Sequence, residues 1–105
     1  EEFYFVTPAP MPDDTHGGDA FAIRYRTLSR GFEPGWLSVL AYDATQTLLT
    51  AIDTSSKPVT PSTVTERLAQ SSLSGLSRHI SFDADGNWRM PHLSIYHWKD
   101  SKIVH

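Results

Sequence analysis

Residues 36–52, WLSVLAYDATQTLLTAI, carry the strongest helical periodicity in the chain. At 100° per residue, Leu37, Leu40, Ala41, Ala44, Leu48, Ala51 and Ile52 fall on one stripe, and Asp43, Gln46, Thr47, Thr50 and Asp53 fall opposite it. Tyr42 and Leu49 widen the apolar side. A stripe this broad predicts a helix that packs on a sheet, buries Leu40, Ala44, Leu48 and Ile52, and is touched on its flank by a second helix or lobe.

Upstream, Phe3-Tyr4-Phe5-Val6 is aromatic and β-branched and predicts a short strand. Pro8, Pro10 and Pro12 follow; they remove ladder donors and forbid a helix, so an extended linker comes next. The turn-forming residues 13–18 lead to a helix capped by Asp19, with Phe21, Tyr25 and Leu28 on one face and Gly31 as its left-handed cap. Phe32-Glu33-Pro34-Gly35 turns the chain into the long helix.

Downstream, Asp53 to Pro58 is a polar loop, and Thr60-Pro61 reads as an N-cap with proline at the first helical position. The short helix that follows turns Val64, Leu68 and Ala69 inward and frays into Ser71 to Gly75. His79 to Phe82 and Leu93 to Lys99 alternate as strands do, with Asp83-Ala84-Asp85-Gly86-Asn87 as the turn between them. Lys99-Asp100-Ser101-Lys102 is a second tight turn into Ile103-Val104. The expected order is strand, helix, helix, helix, strand, strand, strand, an α/β or α+β pattern front-loaded with helices.

Length and charge narrow the function. With 105 residues there is room for one small unit, and the net charge of −3 supplies no basic field for phosphate, so nucleic acid is not an expected partner. The absence of cysteine removes disulfides, thiolate nucleophiles and cysteine zinc sites, and says nothing about location. Apolar runs stay far below the ~20 residues that span a bilayer. Neither a transmembrane segment nor a signal peptide is expected, and the opening Glu1-Glu2 reads as a mature product or an excised piece rather than a complete gene product.

Catalytic signatures fail one by one. His92 and His97 are five apart in a predicted strand and point to opposite faces; His16, His79 and His105 are scattered, so no metal site is expected. Ser74-Gly75-Leu76-Ser77 lacks the glycine spacing of a nucleophile elbow. The run from Asp83 has Trp88 and Ser94 where a calcium loop needs glycine and a bidentate Glu. No phosphate-binding glycine loop occurs. Neither enzymatic activity nor a cofactor is expected, and the aromatic residues read chiefly as core.

One resemblance covers nearly the whole chain in order. Ala41-Tyr42-Asp43-Ala44, followed by Leu48-Leu49 and Ala51-Ile52, resembles a helix of the type I periplasmic binding proteins of the leucine/isoleucine/valine-binding family. The Phe21, Tyr25, Pro34 pattern before it, Val64 and Leu68 after it, then Leu73, Gly75, Ile80-Ser81-Phe82-Asp83 and Gly86, are similar to further segments of that family, and residues 93–104 resemble its closing hairpin. Arg78-His79 stands where the family has a second glycine, and Ser101 replaces the glycine common in the last hairpin.

What the resemblance implies is the C-terminal part of a two-lobed α/β fold, helices on a sheet plus a terminal β hairpin, with residues 1–105 forming a single unit. Such proteins sit in the periplasm or outside the cell, close their lobes on an amino acid or related small solute, and present the closed form to an ABC transporter permease. The resemblance places Trp36, Leu37, Ser38, Ala41 and Tyr42 near the ligand. A small-molecule ligand is then expected only together with the rest of a binding protein, and the chain is expected as a homodimer or a fragment complex. Two alternatives stay open: the extracellular sensor of a signalling receptor with the same fold, or a small protein-interaction module docking through exposed aromatic faces.

Overall fold

The computed structural model describes residues 1–89 and 93–104; His92 and His105 lie outside the described residues. Strand β1 (Glu2–Thr7) is followed by a 3-10 turn (Pro12–Asp14), then by helices α1 (Gly18–Leu28), α2 (Trp36–Thr54) and α3 (Pro61–Ala69). Strands β2 (Ser72–Ser74), β3 (His79–Ser81), β4 (Ser94–Lys99) and β5 (Lys102–Val104) complete the chain. No described helix is long and apolar enough to cross a membrane.

Two antiparallel sheets result. In the first, β4 lies between β1 and β5, with Phe3 opposite Trp98, Phe5 opposite Tyr96 and Trp98 opposite Ile103. Opposed residues share a face, so the aromatic side chains stack in pairs: the Phe3 and Trp98 ring centroids are 6.2 Å apart and those of Phe5 and Tyr96 are 5.7 Å apart. On the other face Tyr4 stacks on His97 at 4.3 Å, and the His97 ring stands 2.7 Å from Glu2 Oε1 without the alignment of a hydrogen bond. The second sheet is the small hairpin of β2 and β3, extended by a bridge between Phe82 and Trp88.

Tyr96 ties the first sheet to the helices. It is 1% exposed, and its hydroxyl accepts from the Met11 backbone N–H at 2.6 Å and donates to Asp14 Oδ2 at 2.7 Å. The proline-rich linker is thereby pinned over the sheet, and the 3-10 turn sits against the start of α1. A Cβ on Gly18 would stand 1.7 Å from the Pro12 carbonyl oxygen, so only glycine permits that approach.

Local signals set most element ends. Thr60 caps α3 by accepting from the Thr63 N–H at 3.2 Å, with Pro61 at the first helical position as expected. Three expectations are corrected. Gly17, at φ +82°, caps α1 in place of Asp19, which lies inside the first turn. At the other end of α1 the left-handed position falls first on Arg30 (φ 63°), and Gly31 follows, its N–H bonded to the Arg26 carbonyl at 2.8 Å as in a Schellman closure. Ser72–Ser74, expected to fray, instead pairs with β3.

The largest correction concerns α2. Its buried residues are Val39, Asp43, Thr47 and Ala51, a flank of two apolar and two polar side chains beside the stripe, while Leu48 is 44% and Ile52 39% exposed, Ala44 is exposed and Leu40 only half-buried. α2 packs against α3 and closes on the β2–β3 hairpin through Asp43. The inward flank combines the packing of Val39 and Ala51 with the hydrogen bonds of Asp43. The whole chain is elongated, 55 × 32 × 19 Å with a radius of gyration of 16.2 Å, against about 13 Å for a compact chain of this length.

Two predictions follow from the sheet. The β4–β5 turn places both Asp100 (φ 51°) and Ser101 (φ 60°) in the left-handed region, which glycine enters without the strain a Cβ brings. Ser101→Gly should raise unfolding stability by about 0.5–1 kcal/mol in urea titrations. Burial pushes the Tyr96 hydroxyl up to about 12. An unfolded tyrosine ionises near 10, so the contribution of Tyr96 is fully present below that pH and declines as the folded hydroxyl is forced to ionise near 12. Between these values the wild-type chain should lose about 2 kcal/mol of stability that the Tyr96→Phe variant does not lose.

Candidate functional site

The Asp43 side chain organises the region around α2. It is 3% exposed, and its carboxylate accepts from the Leu76 N–H at 2.7 Å and the Ser77 N–H at 2.8 Å, with the Ser77 hydroxyl as a third donor. Thr47 donates to the Asp43 carbonyl at 2.7 Å one turn on. Three donors to one carboxylate satisfy a charge that burial would otherwise penalise. The loop must come close to supply them: a Cβ on Gly75 would lie 2.6 Å from Asp43 Oδ2.

This clamp delivers Leu76 to a groove of about 640 Å³ between α1 and α2. Phe21, Tyr25 and Leu28 form one wall, and Leu37, Ala41 and Tyr42 form the other. The Phe21 ring meets Tyr42 edge-on with centroids 5.2 Å apart and lies 5.9 Å from Tyr25. Leu76 closes one end beside Gly17, whose added Cβ would stand 3.9 Å from it. Polar groups are few. Ser38 Oγ accepts from the Gly35 N–H at 3.3 Å, Thr45 donates to the Ala41 carbonyl at 2.8 Å, and Arg24 is the one charged lining residue among those described. An apolar, aromatic-edged groove with a single cation suits a small amphiphilic molecule bearing an aliphatic part and an anionic group.

Of the five residues expected near a ligand, Leu37, Ser38, Ala41 and Tyr42 line this groove together, and Trp36 does not line it. Their juxtaposition follows from helical spacing. Arg24, Phe21 and Tyr25 on the facing helix, and Leu76 from the loop, were not among the expected site residues. The α1 residues carried a helical signal of their own, but nothing local to Leu76 announces that Asp43, 33 residues earlier, holds it there.

The structure is similar to the crystal structure of a leucine-binding protein, LivK, from Thermotoga maritima MSB8, with a TM-score of 0.80 and 23% sequence identity. The match covers 99% of this chain and 29% of that one, so the chain spans less than a third of that protein's length. This chain has part of a periplasmic-binding-protein-like fold. No protein-family model and no curated protein sequence matches it.

If the clamp sets the groove, removing it should be costly. Asp43→Ala strands the Leu76 and Ser77 donors and should lower unfolding stability by about 2–4 kcal/mol at fixed protein concentration, with Gly75→Ala losing about 1–3 kcal/mol by displacing the same carboxylate. Urea denaturation checks both, and an unchanged midpoint for Asp43→Ala would refute the role given to the carboxylate.

Proposed function

We propose that residues 1–105 are a ligand-binding part of an extracytoplasmic solute-binding protein that serves ABC-type uptake of branched-chain amino acids or similar small organic solutes, and that they perform no chemistry. The observation that carries this reading is the groove, where Leu37, Ser38, Ala41 and Tyr42 face Phe21 and Tyr25 within a fold like that of a leucine-binding protein. Leu37 and Ala41 offer an aliphatic surface, Tyr42 and Phe21 an aromatic edge, and Arg24 a counter-charge for a carboxylate.

The groove is open to solvent, and a solute held only there keeps much of its surface in water. Full affinity then belongs to a closed state in which a second lobe, outside this chain, covers the solute. Ligand favours that state by its differential affinity for it, and a permease that recognises the closed form reads out the shift. A sensor domain coupled to a signalling module uses the same closure with a different output.

On this reading the isolated chain binds free leucine weakly, with amide shifts in nuclear magnetic resonance titrations confined to residues 37–42 and the facing turn of α1. Tyr42→Ala should abolish those shifts. Saturable shifts elsewhere, or none at these residues at high leucine concentration, would remove the solute-binding assignment.

A further inference from the structure

We propose that the polar face of the β2–β3 hairpin is a binding site for a phosphate group, with Arg78, Ser81 and Arg89 as its donors. Alternation along β3 divides its side chains between two faces. Ile80 is 6% exposed and, with Phe82, lines an apolar groove beside α2. His79 and Ser81 point the other way, opposite Ser74 and Ser72 in the register of the hairpin. They line a separate cavity of about 460 Å³ together with Arg78, Asp83 and Arg89.

The backbone beneath these donors is fixed from both sides. The Arg78 carbonyl accepts from the Gly75 N–H at 2.9 Å, closing the turn whose Leu76 and Ser77 N–H groups Asp43 holds. Across the cavity the Arg89 N–H donates to the Ser81 carbonyl at 2.8 Å, and Arg89 Nε donates to the Phe82 carbonyl at 3.0 Å. The His79 ring is tied back as well, its Nε2 standing 3.1 Å from Ser72 Oγ. Donors mounted in this way lose less freedom when an anion arrives.

What the donors lack is an acceptor. Among the described residues the ion pairs are Arg26 with Glu33 and His97 with Glu2, so neither Arg78 nor Arg89 meets a carboxylate. The Ser81 hydroxyl and the terminal nitrogens of Arg89 make no hydrogen bond among those residues. Asp83, the one acid lining the cavity, is turned to its own loop, where Oδ1 accepts from the Asp85 and Asn87 N–H groups at 2.9 Å each. Two guanidinium groups against one carboxylate leave the cavity positive in a chain of net charge −3. That is too small a field for nucleic acid, and it suits a compact anion. A tetrahedral oxyanion offers acceptor oxygens in several directions and can meet two guanidinium groups and a hydroxyl together, whereas a planar carboxylate matches one guanidinium fork. The cavity shares no lining residue with the α1–α2 groove, so this site stands whether or not that groove takes a solute.

Titrating the full chain with sodium phosphate, against sodium chloride at matched ionic strength, tests the proposal by nuclear magnetic resonance. Saturable shifts at Arg78, Ser81 and Arg89 are expected with phosphate and not with chloride. Arg78→Gln and Arg89→Gln should each raise the dissociation constant by at least about 10-fold, with the amide spectrum outside the hairpin unchanged, while Arg67→Gln on α3 should leave it as it is. Methyl phosphate distinguishes the sources: a match to inorganic phosphate assigns the site to a phosphate monoester, and failure to bind assigns it to the free ion. No saturation with inorganic phosphate, equal shifts with chloride, or an affinity that survives either Arg78→Gln or Arg89→Gln would overturn the proposal.

Discussion

The Asp43 carboxylate, buried and bonded to the backbone N–H groups of Leu76 and Ser77 and to the Ser77 hydroxyl, joins segments that are otherwise far apart in the chain. A carboxylate taken out of water needs such donors, because an uncompensated charge in that position costs several kcal/mol. Much of the local architecture follows from meeting that need. The helix must turn its Asp43 flank inward, which buries Val39, Thr47 and Ala51 with it. Position 75 must lack a side chain. The β2–β3 hairpin, which flanks the clamped loop on both sides, is held to α2, and Leu76 is carried to the end of the α1–α2 groove.

The same constraint explains where the sequence could and could not be read. Elements whose signals are local are legible: the aromatic strand before the prolines, the Thr60-Pro61 start of α3, and the turns at 83–87 and 99–102. Each depends on residues within a few positions of one another. The orientation of α2 is not local. Periodicity identifies an amphipathic helix but assumes that the apolar side is the one covered, and here a carboxylate and its distant donors cover the other. β2 escapes for a related reason, since Ser72-Leu73-Ser74 has little strand character of its own and is a strand because β3 lies alongside it.

The groove divides along the same line. Leu37, Ser38, Ala41 and Tyr42 come together through helix geometry alone, so a resemblance to one helix was enough to assemble them. Trp36 is adjacent in sequence but leaves the set, because one residue of helix turns a side chain through 100°. Arg24, the groove's cation, was invisible as a site residue until α1 and α2 were placed side by side. At the other end of the molecule the Tyr96 hydroxyl does for the linker what Asp43 does for the loop, connecting Met11 and Asp14 to a strand more than 80 residues later. Both anchors are single polar groups whose partners lie far away in sequence.

Charge does little to hold α2 as a helix. It carries neither an acidic residue in its first turn nor a basic one in its last, so the macrodipole is not compensated at either end. It has no lysine, arginine or glutamate for i,i+4 pairs, and several of its polar residues are threonines, weak helix formers whose hydroxyls at 45, 47 and 54 bond back to carbonyls one turn earlier. The stability of such a helix must come from tertiary packing. The Asp43 flank supplies part of it, while Leu48, Leu49 and Ile52 contribute little as long as they face water. Covering that face adds burial at the helix that also carries Leu37, Ser38, Ala41 and Tyr42, so whatever covers it also stiffens one wall of the groove.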